Sequence, residues 1–417
     1  MQLGHPDYAG QWKSAKNAPA DREIYFRMVR ELGIRHVRDL FLCWYRAEPR
    51  EGQAYDFTVS DDMARRAGEA DVDLLALCWL IPSWAAGEPG DGWALGVPRR
   101  DKAAAFVRFV TAFVERYDGD GVADLHGLRR PVHCYEFLQE MEAVPVEEYA
   151  FWLKQFYRAV KAADPKGRVV LGSLSSPGYR MAGRPTGDYH TYFDRLMACP
   201  ELAGRDYPYF DAVAFHNYPS SYPGRTPFAS AVLYLQQVLE RHRVDRPIWL
   251  TEFGGDSRDN TPTALATQAS EIVKMAIEAR ALGIERAYLH NMWDYRPPDR
   301  PAVIETFGLV HEAASGEVPA KKPAFEAFRT LAAFADGCEG ITVVRPGLYA
   351  IRDRTGVAYV AWQEEGRANA ATRSFLSNGW WVATGLDGKT ITTHGSAVKL
   401  SAAPVFLRAT QSPILRQ

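Results

Sequence analysis

Along most of this chain, short apolar runs alternate with longer segments in which apolar residues recur every three or four positions. The runs at 34–40, 73–78, 132–138, 169–172, 211–215, 248–250 and 286–289 have strand length. They are apolar enough to be buried on both faces, as strands of a parallel sheet are. The segments between them carry the helical period. The first opens near Asp21, a good N-cap, sets Ile24, Met28, Val29 and Leu32 on one face, and stops at Gly33. Further helices are predicted over 61–70, 101–117, 146–163, 188–197, 230–242, 262–282 and 322–335. Thr261 and Pro262 cap and open the one before last. Residues 1–5 read as a short first strand, which brings the alternation to eight.

An eightfold strand–helix alternation over ~340 residues predicts an α/β protein built on a (β/α)8 TIM barrel. Leu32-Gly33-Ile34 and Leu282-Gly283-Ile284 join helix to strand in the same way, a small internal echo. A doubly wound open sheet is the competitor, but the glycine-rich phosphate turn that usually follows its first strand is missing. The pattern changes after Gly337-Cys338-Glu339-Gly340. Short runs at 341–344, 348–351, 357–362, 374–376, 380–384 and 405–407 are separated by turns such as Arg345-Pro346-Gly347 and Asp387-Gly388. They predict a small C-terminal antiparallel β-sandwich that leans on the barrel. The expected division is a catalytic barrel over 1–337 and a β-domain over 338–417.

Composition narrows the function classes. The chain is 47% hydrophobic and 24% charged, with a net charge of -2 and no basic tract. Nothing favours nucleic acid or an anionic membrane as a partner. No segment reaches the ~20 apolar residues of a membrane span. Met1-Gln2-Leu3-Gly4-His5-Pro6 carries no signal peptide, so a cytoplasmic location is expected unless a leader was removed, which would mean a secreted or periplasmic protein. The cysteines, Cys43, Cys78, Cys134, Cys199 and Cys338, are odd in number and lack metal-type spacing, so buried thiols are expected. The chain has 10 His but no His-x-His or His-Glu-x-x-His pattern, no Gly-x-Ser-x-Gly elbow and no phosphate loop. No metal or cofactor is expected, and a monomer is the expected state.

Chemistry in such a barrel gathers where the strands end. Two stretches share a grammar of apolar strand closed by a carboxylate. One is Arg246-Pro247-Ile248-Trp249-Leu250-Thr251-Glu252-Phe253-Gly254-Gly255; the other is Pro131-Val132-His133-Cys134-Tyr135-Glu136-Phe137-Leu138-Gln139-Glu140. A lone buried carboxylate is costly unless paired or at work. The other strand ends add Arg38 and Trp44; Trp79 and Trp84; His216, Asn217 and Tyr218; and Asn291, Trp293 and Tyr295. Two carboxylates with an arginine, a histidine, a tyrosine and several tryptophans suit glycoside hydrolysis, in which one carboxyl protonates the leaving oxygen and the other attacks the anomeric carbon or activates water. Glu252 is the expected nucleophile, held ionised by donors such as Tyr218 and Arg38. Glu140 is the expected acid and later base. If configuration is retained, the carboxyls should lie about 5–5.5 Å apart.

The same residues carry a family resemblance. Tyr135-Glu136-Phe137-Leu138-Gln139-Glu140 resembles the Trp-Glu-x-x-Asn-Glu motif of glycoside hydrolase clan A. Ile248-Trp249-Leu250-Thr251-Glu252-Phe253-Gly254 is similar to the clan's strand-seven motif, and His216-Asn217-Tyr218 to its His-x-Tyr. Val37-Arg38-Asp39-Leu40-Phe41, with Trp44 and Glu48-Pro49-Arg50-Glu51-Gly52, resembles family thirty-nine glycosidases, which include β-xylosidases and exopolysaccharide endoglycosidases. The resemblance implies a retaining β-glycosidase of polysaccharide or oligosaccharide metabolism. It places the acid/base on Glu140 and the nucleophile on Glu252, with Arg38, Trp79, Gln139, His216, Tyr218 and Trp293 around the sugar. Gln139 departs from the motif's Asn, which in the family reaches the substrate 2-hydroxyl.

Blander readings stand beside these. Glu252 could be a structural ion pair with Arg246 or Arg286. Strand alternation places Glu136, Leu138 and Glu140 on one face, with Glu136 deeper, supporting the interior, and Glu142 past the strand end and solvated. His216 could be a core histidine, Trp79 and Trp293 packing residues, and Arg38 an anchor for Glu252. Arg296-Pro297-Pro298-Asp299-Arg300-Pro301 reads as a stiff solvated loop. The functional alternative is a carbohydrate-binding protein on a glycosidase scaffold that has lost hydrolysis; transglycosylation would use the same residues with water excluded.

Overall fold

The computed structural model describes residues 18–87, 93–94, 96–175, 177, 191–218, 227–295, 304–364, 370–377 and 379–411. Seven parallel strands, β1 (His36–Leu42), β2 (Asp73–Cys78), β3 (Cys134–Gln139), β4 (Arg168–Leu174), β5 (Ala212–Asn217), β6 (Ile248–Phe253) and β7 (Arg286–Leu289), pair in chain order. The two edge strands, β1 and β7, approach each other, so the sheet is a nearly closed TIM barrel. The strand expected at 1–5 lies outside the described residues. Among the described residues, these helices of more than one turn flank the barrel: α1 (Pro19–Leu32), α2 (Thr58–Ala70), α3 (Ala103–Tyr117), α4 (Val146–Ala163), α5 (Tyr192–Met197), α6 (Phe228–Arg241), α7 (Pro262–Ala281) and α8 (Pro323–Ala335).

Helix α1 buries the expected face and ends on left-handed Gly33, but Ala18 occupies the cap position. Asp21 lies in the first turn instead, where it accepts hydrogen bonds from Ser315 Oγ and Gly316 N. Thr261 caps α7 as expected. The strands are buried on both sides, which is why they read as continuous apolar runs. Outward residues such as Val37, Phe137, Phe215 and Leu250 join the helices in the main core. Inward residues Leu75, Cys134, Val170, Ala212, Ala214, Trp249 and Tyr288 form a separate cluster inside the barrel. Small Ala212 and Ala214 leave room there for Trp249, whose ring is flanked by the guanidinium groups of Arg286 at 4.6 Å and Arg168 at 5.0 Å.

The C-terminal β-sandwich domain is a six-stranded antiparallel sheet with helix α9 (Ala370–Leu376) on its far face. Its strands are β8 (Gly340–Arg345), β9 (Leu348–Asp353), β10 (Gly356–Ala361), β11 (Trp380–Thr384), β12 (Thr390–His394) and β13 (Val405–Thr410), in the order β8-β9-β10-β13-β11-β12. The near face leans on the barrel: Phe406 stacks on Phe334 of α8 at 4.4 Å, and Arg280 of α7 donates to Glu339 O. Residues 374–376, expected as strand, belong to α9. A three-residue apolar run does not distinguish strand from helix; tertiary contact decides, with Phe375 against Tyr359 at 5.0 Å and Trp381 Nε1 donating to Leu376 O. Strand β12 was not expected from its largely polar sequence; it forms because the Asp387-Gly388 turn returns it onto β11. The five cysteines, all among the described residues, form no disulfide. Among the described residues no helix is long and apolar enough to cross a membrane.

Candidate active site

Two breaks in strand regularity build the site. On β6, Leu250 is opposite Phe215 but Glu252 is opposite His216, so Thr251 is an extra residue, a bulge. Without it, a strand that turns Trp249 inward would turn Glu252 toward the helices. With it, Glu252 joins His216, which continues the inward series Ala212 and Ala214. On β3, Leu138 has φ 63° and Glu140 φ 48°. Alternation therefore ends at Glu136, and the expectation of one face for Glu136, Leu138 and Glu140 fails. Leu138 turns out into the main core, Gln139 turns inward, and Glu140 stands beyond the strand. The kinked peptide passes so close to β4 that a Cβ on Gly172 would meet Phe137 O at 1.9 Å, so glycine is required there.

From these placements a polar ladder rises through the upper barrel. Arg38, 0% exposed, donates through Nε to Glu136 Oε2, through Nη1 to Glu252 Oε1 at 2.9 Å and through Nη2 to Gln139 Oε1 at 3.1 Å. Tyr218 donates its hydroxyl to Glu252 Oε2 at 2.7 Å. His216 Nδ1 lies 3.2 Å from Glu140 Oε1 and 3.4 Å from Glu252 Oε2. Its Nε2 is buried without a hydrogen-bond partner. Two oxygens that share one nitrogen at those distances are at most about 6.6 Å apart. The carboxylates therefore approach one point at the upper end of the barrel, and their settings differ: the Glu252 side chain is 7% exposed and the Glu140 side chain 50%.

The electrostatics follow from burial. Burial works against the Arg38 charge, but Glu136 and Glu252 beside it more than offset this and hold its pKa above the ordinary range. Neither Arg246 nor Arg286 pairs with Glu252: Arg246 Nε donates to Phe210 O, and Arg286 lies over Trp249. Burial pushes the pKa of His290 down, against the pull of Glu252, whose Oε2 is 3.8 Å from Nδ1. Glu142, expected to be solvated, is 2% exposed, and burial pushes its carboxyl up to about 8.

The other expected residues divide. Trp79 is buried directly after β2, and Tyr218 is buried against Glu252 and Phe307. Trp293 is buried with its ring stacked on Tyr25 at 5.7 Å. Trp44 belongs to packing: it stacks on Phe109, meets Trp84 edge-on and donates Nε1 to Glu48. Tyr295 bonds Glu305 across a short bridge; the Arg296–Pro301 run lies outside the described residues. Sequence reasoning missed His290 and Glu142. The signal for His290 was present, since it follows inward Tyr288 by two positions. Glu142 offered none.

No family model matches this chain, and no curated protein does. Solved structures do match. A family 39 glycoside hydrolase from Bacteroides cellulosilyticus is similar at 18% identity, over 95% of this chain and 79% of that one, with a TM-score of 0.68. A GH39 β-xylosidase from Caulobacter crescentus is similar at 14% identity, over 98% of each chain, with a TM-score of 0.63. A GH30 endoxylanase from Clostridium papyrosolvens is similar at 13% identity, over 98% of each chain, with a TM-score of 0.57. At these identities the likeness is one of fold.

Proposed function

We propose that the protein is a retaining glycoside hydrolase that cleaves β-linked bonds of an oligosaccharide or polysaccharide, with Glu252 as nucleophile and Glu140 as acid/base. The observation that carries this is the shared His216 Nδ1, which ties two carboxylates of unlike surroundings to one point at the barrel mouth. Their ceiling of about 6.6 Å lies at the lower edge of the spacing inverting enzymes use and accommodates the about 5–5.5 Å of retaining ones. Fold-level likeness to glycosidases adds prior weight only.

Glu252, receiving Arg38 Nη1–H and Tyr218 O–H, is kept ionised. It attacks the anomeric carbon, while Glu140 delivers its proton to the departing oxygen. Glu140 then removes a proton from the water that attacks the glycosyl–Glu252 ester, and its half-exposed side chain exchanges that proton with solvent. Arg38 has its guanidinium committed to Glu136, Glu252 and Gln139 and acts as the anchor of Glu252. Gln139 has its carbonyl oxygen committed to Arg38, which leaves the amide nitrogen to donate to a sugar hydroxyl. Trp79, His216, Tyr218 and Trp293 complete the proposed sugar site.

The test is release of sugar from a panel of aryl β-glycosides and β-linked polysaccharides, with the product anomer read by NMR. The expected result is turnover with retained configuration, abolished in Glu252→Gln. Binding of glycans without turnover of any of them would instead support the carbohydrate-binding reading, and an inverted product would reject the nucleophile.

A further inference from the structure

We propose that Glu142 is a positioning residue for Glu140: its buried carboxyl pins the turn carrying Glu140 to the end of β4 at Ser175. The inference rests on Glu140 being the acid/base. Glu140 holds a left-handed backbone, φ 48° and ψ 49°, that a residue with a side chain adopts only when its surroundings enforce it. Two adjoining contacts on β4 supply the enforcement. Glu140 N donates to Ser173 Oγ at 3.3 Å. Two residues on, Glu142 Oε1 accepts Ser175 N–H at 2.7 Å and Ser175 Oγ–H at 3.3 Å. The intervening Met141 is buried in the main core, and Val144 closes the turn with N–H to Met141 O at 2.8 Å.

The chemical form of Glu142 matters as much as its place. Its second oxygen, Oε2, is buried with no hydrogen-bond partner. The ionisable groups around it among the described residues are Glu140 on its own turn, Tyr149 of α4 and Tyr192 of α5; Glu147 and Arg195 act on Tyr192. No cation faces it. Burial first, and then the Glu140 charge, raise its pKa to about 8. Below that pH the turn is held by an uncharged acid. Above it, a buried carboxylate forms beside Glu140.

The experiment compares wild type, Glu142→Gln and Glu142→Ala in kcat and KM from pH 5 to 9, and in thermal unfolding at pH 5 and pH 8. Glutamine copies the uncharged acid and keeps the acceptor for Ser175; alanine removes both. Alanine is expected to lower kcat about tenfold or more with little change in KM, and glutamine to restore most of that loss. The unfolded chain ionises Glu142 near 4.5 and the folded one near 8, so wild-type stability falls with rising pH across that window. Glu142→Gln should lack that fall, and should lack the accompanying loss of kcat above pH 8. If Glu142→Ala is folded and keeps wild-type kcat, or if glutamine is as damaging as alanine at pH 6, the proposal is overturned. If Glu142→Ala does not fold, the unfolding and kcat profiles of Glu142→Gln decide, and identity with wild type in both overturns it. A wild type inert on every glycoside would instead reject the assignment of Glu140, while the unfolding comparison would still report whether Glu142 is buried uncharged.

Discussion

The lower and upper halves of the barrel interior are built from the same strands and obey opposite rules. Below, Cys134, Ala214, Trp249 and Tyr288 close an apolar plug. One inward step further along the same strands stand Glu136, His216, Glu252 and His290. The plug follows strict alternation; the polar layer depends on the Thr251 bulge and the left-handed kink at Leu138 and Glu140. Burying apolar surface returns about 25 cal/mol per Å² without special geometry. Burying a Glu–Arg–Glu group is costly unless every charge meets a partner at bonding distance. The plug can therefore stabilise the barrel on which a costly constellation rests, and irregular backbone is found where side-chain aim matters more than stability.

That contrast can be tested by breaking each half in turn. The largest effect is expected from Glu252→Gln: kcat falls by at least about 10⁴-fold while the melting temperature stays within a few degrees, as steady-state kinetics and calorimetry on one preparation would check. Next is Arg38→Met, which leaves Glu136 and Glu252 facing each other without a counter-charge. About 3–5 kcal/mol of stability should go, read by denaturant unfolding, together with most activity. Trp249→Ala empties the plug and should remove a similar about 3–5 kcal/mol, yet leave kcat per folded molecule nearly unchanged. Loss of turnover in that variant with the fold intact would show that the halves are not separable. The smallest effect concerns His290. Its folded-state pKa is depressed, so below about 6.5 the unfolded chain takes up a proton that the folded one refuses. Stability should fall as the pH drops through that point, and His290→Gln should lessen the fall, as unfolding curves at pH 7.5 and 5.5 would report.

Much of the fold was legible because burial imposes periods on a sequence. The helix at 146–163 and the strands at 73–78 and 286–289 stand where their apolar spacing put them. The carboxylates Glu140 and Glu252 were legible as charges closing apolar runs. Glu142 was not, because nothing local separates a buried glutamate from a solvated one; its hydrogen-bond partner Ser175 comes from another part of the chain. Helix α9 was missed for the same reason, since Trp381 and Tyr359 decide what Phe375 does.

The sequence by itself determined the alternation of strand and helix, the apolar interior and the identity of the groups at the strand ends. Those depend on residue type and period, which are local. The tertiary structure decided which way the groups point. A bulge is visible only against its partner strand, as Thr251 is against β5, and the kink at Leu138 is possible only because Gly172 on β4 makes room. Neither depends on neighbours in sequence, so neither could be read before the strands were laid side by side.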